Sequence, residues 1–393
     1  MRKLNKIFII VLISVIIISC GTKSADSDNV FLDTTYSDLS ILHLNGTAFE
    51  NGVQHGKLLR KEINELISLW KQDLQIKYQM PADTFIKVFL DSTNYLPSIK
   101  KWTPVLLDEV KGISDGSGVD FNTLFAFQLI DEIWTNARLI DIPHHCTSFG
   151  VNNFLKDGGT NWNAQTIDIP SYYHKFPVLL DIKDKNSNSR KLVTTFAGYI
   201  GINGLNKNIS VTENSLTNLK SALNGLPVAF VSRGVLERKT FYNAVSFIKT
   251  IKHASGQNYI IASRSNLISL ECATDLIVEY WPDSTKHYTF HGNNPLTNNS
   301  YHPFYNNYLK KLYGAIPETI AISDRKVETV KRQLTKNETI NAEIIKNILS
   351  KEPVCNQNTF ASTIMEFNEH YNQLYITINK TDSTKYMEFK LKK

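Results

Sequence analysis

The chain predicts a layered α+β fold, with helices outside a two-sheet core, and three features of its patterning carry that reading. Ahead of Cys146 the apolar residues recur mostly at helical spacing. From Cys146 onward, short alternating runs of period two take over. Further on, helix pairs interrupt the strands, and such an order places helices outside sheets. No internal repeat or linker breaks the chain after Ser40, so residues 41–393 read as one domain. Its first part, 41–145, is the helical segment, and 146–393 is the strand-rich one.

Taken in order, Ile41–Leu44 is a short strand candidate. From Gly56 to about Tyr78 the residues Leu59, Ile63, Leu66, Ile67, Trp70 and Leu74 share one stripe, which predicts a helix. Pro81 and Pro104 each open a further helix, reaching about Tyr95 and Ile113. Asp115-Gly116-Ser117-Gly118 reads as a turn, and Asp120 as the cap of a helix through Trp134. Cys146–Val151 opens a strand, Lys156–Gly159 turns, and a second strand ends on Gln165-Thr166-Ile167-Asp168. Phe176–Ile182 and Lys191–Phe196 form a hairpin pattern, followed by Ile209–Glu213. Helices are expected over Phe230–Leu236 and Tyr242–Ala254, then strands at Tyr259–Ala262, Leu267–Cys272 and Ile277–Trp281. Helical patterns at Pro303–Leu312 and Asp324–Leu349 precede three closing strands, Thr363–Phe367, Gln373–Ile378 and Tyr386–Leu391.

The start of the chain carries an address. Arg2, Lys3 and Lys6 precede an apolar run over Ile7–Ile18, too short for a comfortable membrane span. Residues 1–19 therefore read as a cleaved export signal. The order Ile17-Ile18-Ser19-Cys20 resembles a bacterial lipobox, which makes Cys20 the lipid anchor of an exported bacterial lipoprotein. An ordinary signal peptide or an uncut anchor are the alternatives. Residues 20–40 are rich in Ser, Thr and Asp and read as a flexible tether between lipid and domain.

Loss of residues 1–19 lowers the formal charge from +6 to +3, with no Lys/Arg block, so nucleic acid is not an expected partner. Of the four cysteines, acylation of Cys20 leaves Cys146, Cys272 and Cys355, an odd number that points to a free thiol. There is no C-x-x-C pair, no zinc spacing and no phosphate-cradling glycine loop, so neither a metal nor a cofactor is expected.

The chemistry concentrates between His144 and Pro170. A hairpin there brings Asp168 back beside Cys146, 22 residues away. A thiol is a weak nucleophile until a base takes its proton. One available base is the α-amine of Cys146 itself, freed by a cut before it. Such an amine titrates at about 7.7–8.0 and is partly neutral near pH 7. Local sequence fits equally well a buried structural cysteine opening a core strand.

The motif order resembles the isopenicillin N acyltransferase branch of the N-terminal nucleophile (Ntn) hydrolases. Gly52-Val-Gln-His55-Gly56 is similar to that family's early G-x-x-x-G helix start, Cys146-Thr147-Ser148-Phe149 to its nucleophile motif, and Ala164-Gln165-Thr166-Ile167-Asp168 to its A-Q-N/T-x-D strand. Gly201–Asn206, Gly225-Leu-Pro227 with Arg233, Leu270-Glu271, and His291-Gly292-Asn293-Asn294 resemble later segments in the right order. The resemblance covers roughly residues 41–393. It implies a four-layer αββα sandwich that cuts itself between His145 and Cys146. It further implies Cys146 as nucleophile, Asp168 as the residue orienting the freed α-amine, and Asn293 as oxyanion donor. The substrate class would be small N-acyl or linear amide molecules, hydrolysed or transferred through a thioester.

Three positions depart from the family pattern. His145 stands where the acyltransferase has Gly, Ala273 where a serine follows the L-E segment, and Thr359-Phe360 where a Ser-Arg pair is found near the C-terminus. Two other readings therefore stay open. One is an intact-chain cysteine hydrolase with His144, His291 or His55 as base. The other is a non-catalytic, ligand-binding surface lipoprotein.

Overall fold

The computed structural model describes residues 30–36, 38–136, 146–187, 189–314, 324–379 and 385–392. The export signal, Cys20 and the histidines His144 and His145 lie outside them. Among the described residues no helix is long and apolar enough to cross a membrane.

Strands β1 (Phe31–Tyr36) and β2 (Leu39–Gly46) come first. Helices α1 (Ala48–Leu58), α2 (Arg60–Tyr78), α3 (Ala82–Ser92), α4 (Leu96–Trp102) and α5 (Pro104–Ser117) follow. The helical segment closes with α6 (Phe121–Phe127) and α7 (Ile130–Asn136). Next come β3 (Thr147–Asn152), the short α8 (Asn153–Asp157) and β4 (Asn161–Asp168). A meander of β5 (Pro177–Asp184), β6 (Ser189–Phe196), β7 (Asn203–Asn206) and β8 (Ile209–Ser215) leads to α9 (Val228–Leu236) and α10 (Phe241–Thr250). Then stand β9 (Gln257–Ser263), β10 (Leu267–Cys272), β11 (Ile277–Glu279) and β12 (Tyr288–His291). Helices α11 (Pro303–Tyr313), α12 (Arg325–Lys336) and α13 (Ala342–Leu349) precede β13 (Thr359–Phe367), β14 (Tyr371–Ile378) and β15 (Met387–Lys392).

The strands make two sheets, ordered β1-β2-β5-β6-β7-β8-β9-β10-β11 and β12-β3-β4-β13-β14-β15. The pleat of β4 shows how they are layered. Trp162 and Ala164 join Val327, Val330, Leu334, Ile345 and Ile348 of α12 and α13 in one apolar cluster. Asn163 and Gln165, on the opposite face, turn to the larger sheet. Asn163 Nδ2 donates to Ser210 Oγ at 3.2 Å and to the Ile260 carbonyl at 3.0 Å. Asn203 Nδ2 ties Gln165 Oε1 at 2.8 Å to Thr363 Oγ1 at 2.9 Å. The seam between the sheets is thus partly polar and hydrogen-bonded, as buried polar groups require. Helices α1, α2, α5 and α9 share the main apolar cluster with the larger sheet. The α+β class expected from the sequence is what the chain adopts.

Local differences have physical causes. Residues 31–36, expected within the tether, pair with β2 instead, and Phe31 stacks on His43 at 4.4 Å. This edge strand is mostly exposed, so it leaves no apolar alternation to read. The first helix begins earlier than Gly56, at a capping box in which Thr47 and Glu50 hold each other's backbone N–H. Asp115, Gly116 and Ser117 are helical rather than a turn, and α5 ends only at Gly118, φ +78°. The reason is a close crossing of two small-residue ridges. Gly52 and Gly56 of α1 face Gly112 and Gly116 of α5, and a Cβ at Gly56 would lie 2.5 Å from the Ile113 carbonyl oxygen. The helical stretch from Asp324 is two helices, separately capped by Asp324 and Asn341.

Strand β2 joins the two segments of the chain. It pairs in parallel with β5, from Ser40 opposite Val178 to Gly46 opposite Asp184. The segment ahead of Cys146 is therefore built into the larger sheet and is not only a helical cover.

Candidate active site

Cys146 stands immediately before β3, whose antiparallel register sets Thr147 opposite Thr166 and Ser148 opposite Gln165 of β4. That register carries the chain end of β4 past the thiol. Cys146 Sγ lies 3.9 Å from the Asp168 carbonyl oxygen. On the other side, β12 pairs His291 with Ser148. Asn293 follows two residues after this pairing ends, in the loop beyond β12. Cys146 and Asp168 thus come together at one end of the six-stranded sheet, and the Asn293 loop leaves the strand beside β3.

Asp168 is buried at 1% exposure and its carboxylate is fully surrounded by donors. Thr359 Oγ1 and Asn356 Nδ2 each donate at 2.8 Å, and Lys326 of α12 forms an ion pair with it. Thr359 holds the place of the expected serine, and its hydroxyl keeps a hydrogen-bonding role there. Asn293 Nδ2 donates to the Ser215 carbonyl at 3.0 Å, which fixes the amide plane. A carboxamide carries two N–H donors, so the second can serve an anionic oxygen.

The loop bearing Asn293 is pinned from below by Glu271. Its carboxylate accepts N–H bonds from Leu296 at 2.6 Å, Thr297 at 3.0 Å and Asn298 at 2.6 Å. His291 Nε2 approaches it at 2.7 Å, while His291 Nδ1 faces the Gly292 carbonyl at 2.8 Å. Burial works to raise the Glu271 pKa, but the hydrogen bond and charge of His291, with the loop N–H groups, outweigh it and lower the value. With both ring nitrogens engaged, His291 has none left for the thiol. His55 is fully buried, and its Nε2 accepts from Gly198 N at 3.1 Å. Burial first, then the Arg233 charge, lowers its pKa to about 3, so it stays neutral. Neither ring is hydrogen-bonded to the Cys146 thiol, whose contact is the Asp168 carbonyl, and His144 lies outside the described residues.

The thiol itself is half-buried. Burial, and next the negative charge of Asp168, push its pKa up to about 12, against the opposing pull of the Asp168 carbonyl contact and of Lys326. Glu213 of β8 adds a small upward push. In the intact chain the thiol is thus protonated at neutral pH and needs a base.

Behind Glu213 lies a group that sequence reading missed. Asp131 and Glu132 of α7 are buried near Glu213. Ser215 Oγ donates to Asp131 at 2.9 Å, Val228 N to Glu132 at 3.0 Å, and Ser232 Oγ to Glu213. Burial chiefly, and for Glu132 and Glu213 also the charge of Asp131, raises all three pKa values. A carboxylate with a raised folded-state pKa favours folding while protonated. Its contribution fades as pH climbs from the unfolded value, about 4, through the folded one. Stability should accordingly fall between pH 5 and neutrality and beyond, and Glu132→Gln should flatten that decline. Urea melts across this range check it; a slope unchanged in the variant would refute the assignment.

An open cleft of about 570 Å³ lies elsewhere, between Asp91–Asn94 and Ser221–Asn224, and none of Cys146, Asp168 and Asn293 lines it.

The family model described as acyl-coenzyme A:6-aminopenicillanic acid acyl-transferase matches residues 172–309, a stretch that holds Asn293 but not Cys146 or Asp168. Protein dcd1B of Dictyostelium discoideum is 23% identical over 273 residues, 63% of this chain and 53% of its own. Protein dcd1A of the same organism is 22% identical over 290 residues, 60% of this chain and 64% of its own. Acid ceramidase of Rattus norvegicus is 25% identical over 287 residues, 66% of each chain. The chain thus spans between about half and two thirds of the length of these relatives. As a class, the matches support an Ntn-type acyltransferase or amidohydrolase. Within that class, they support the isopenicillin N acyltransferase-like family.

Proposed function

We propose that the protein is a self-activating cysteine amidohydrolase or acyltransferase that cleaves linear N-acyl amide bonds through Cys146. The contact of the Cys146 thiol with Asp168, beside the strand that leads into the Asn293 loop, is the observation that supports this most. In this reading the thiol first attacks the His145 carbonyl, and the acyl group moves from nitrogen to sulfur. Water then releases the His145 carboxylate and leaves Cys146 with a free α-amine. In turnover that amine takes the thiol proton, the thiolate attacks the substrate carbonyl, and the tetrahedral oxyanion is held by the Asn293 amide. The amine product departs with the proton, leaving a thioester, which water or a second amine resolves. An amine titrating near neutrality is a far better match to a pH 7 reaction than an unassisted buried thiol.

The relative named acid ceramidase makes lipid-like N-acyl amides the first substrates to assay. Intact-mass measurement of denatured wild-type protein tests the reading: a fragment ending at His145 and another beginning at Cys146 are expected. A single chain that still hydrolyses N-acyl substrates through Cys146 would replace it by an intact-chain hydrolase.

The address is part of the proposal. Cys20 is taken as a lipid-bearing residue that tethers the domain to a membrane through residues 21–30. Cys20→Ala should abolish metabolic labelling with fatty acid and move the protein out of the membrane fraction. Wild-type protein that takes up no fatty acid sinks the anchor.

A further inference from the structure

The reaction at Cys146 leaves one ion pair without a role. Asp168, assigned to an α-ammonium, is in the intact chain already matched by the ammonium of Lys326. Lys326 is not a loose surface lysine. It sits in the first turn of α12, where the Asp324 carboxylate accepts from Lys326 N at 2.9 Å and from Val327 N at 3.3 Å. Val327, Val330 and Leu334 lock the same helix onto the small sheet. Its side chain is 12% exposed, against 1% for that of Asp168. The carbonyl oxygen of Asp168 is the atom 3.9 Å from the Cys146 sulfur, so the pair stands beside the nucleophile.

We infer that Lys326 is a charge-balancing residue of the Cys146 site, its ammonium offsetting Asp168 so that a thiolate can form next to a buried carboxylate. The inference rests on Cys146 as nucleophile. Without Lys326, ionising the thiol sets two anions side by side in a site that water barely reaches, and like charges there disfavour ionisation. The charged or titratable groups acting on the thiol are Asp168 of β4, Lys326 of α12 and Glu213 of β8. Burial raises the Glu213 pKa, which weakens its push, and of the three it is the smallest influence on the thiol, so Lys326 against Asp168 is the main balance. The proton leaving sulfur goes to the α-amine, and the new α-ammonium shares the Asp168 carboxylate with Lys326. The lysine also has a role before cleavage, when no α-ammonium exists to offset the Asp168 charge.

The test is the pH profile of iodoacetamide alkylation at Cys146 in the full-length protein. Peptide mass mapping separates that label from Cys20, Cys272 and Cys355. Lys326→Met should move the alkylation midpoint up by about one unit or more and slow labelling at pH 7.5 about tenfold. Lys326→Arg should stay near wild type. Joining Lys326→Met to Asp168→Asn should restore the midpoint, because both charges leave together. An unmoved midpoint in Lys326→Met, or a double variant as slow as the single one, overturns the inference. Where Lys326→Met does not fold, Asp168→Asn is compared with the double variant, whose midpoint should lie higher; equal midpoints refute the role. Failure of the nucleophile reading is seen separately, as amide hydrolysis that survives Cys146→Ala.

Discussion

Cys146→Ala is expected to yield one uncut chain without amidohydrolase activity, while its melting curve stays close to wild type. Two losses come from one atom. In the proposed reading, sulfur attacks the His145 carbonyl first and the substrate afterwards. Removal of a nucleophile from an acyl-transfer site lowers turnover by on the order of 10⁶-fold. Stability should change little, because the thiol is half-buried and makes only a long contact to the Asp168 carbonyl at 3.9 Å. Cys146→Ser separates the two roles. A hydroxyl can make the same nitrogen-to-oxygen shift, so slow cutting over hours to days is expected with little turnover of amide substrates. Electrophoresis and intact mass follow the cut, and release of amine from an N-acyl substrate follows turnover. Alanine protein that is cut at residue 145, or that retains activity, would remove Cys146 from both steps.

What could be read from the chain beforehand divides by the range of the interaction. The Cys146–Asp168 hairpin was legible because a turn signal and two alternating runs are local. Strand β12 was not marked as a strand, since Tyr288–His291 is four residues long and takes its partner, β3, from about 140 residues earlier. The reach of Lys326 to Asp168 spans 158 residues, and its helix carries no mark that separates this lysine from its solvent-facing neighbours. The acid group of Asp131, Glu132 and Glu213 was hidden for the same reason, with two members on a helix and one on a strand about 80 residues on. Gly116 was misread as a turn glycine because a glycine needed for close helix contact looks the same in sequence as one needed for a bend. His55, named from the sequence as a possible base, is fully buried with its ring accepting from the Gly198 N–H, a long-range packing that its neighbours in sequence do not reveal.

Glu109→Gln should be the most damaging single change to the assembly of the cut protein, although it touches no reacting atom. Glu109 lies on α5, ahead of the cut, and Arg233 on α9, behind it. Their side chains meet in a buried two-point ion pair, Nη1 to Oε1 at 2.9 Å and Nη2 to Oε2 at 2.7 Å. Arg233 Nη1 also donates to the Ile200 carbonyl at 2.5 Å, in the stretch beside the Gly198 contact of His55. If the chain cuts itself as proposed, the β2–β5 ladder, the hydrogen bonds of Asp131, Glu132 and His55 across the cut, and this ion pair are among the contacts that hold the two pieces together. An arginine cannot shed its proton, so loss of the carboxylate leaves a charge at 1% exposure with only the longer 3.8 Å pairing to Glu237, which Lys191 shares. Breaking a buried pair from one side costs about 3–5 kcal/mol, whereas replacing both members by apolar groups is often close to neutral. Glu109→Gln should therefore lower the urea midpoint sharply and let the segment ending at His145 separate under mild denaturant. Glu109→Leu with Arg233→Met should recover most of that loss. A single variant that melts within about 1 kcal/mol of wild type would show that the pair does not hold the pieces together, since that is the range of an exposed salt bridge.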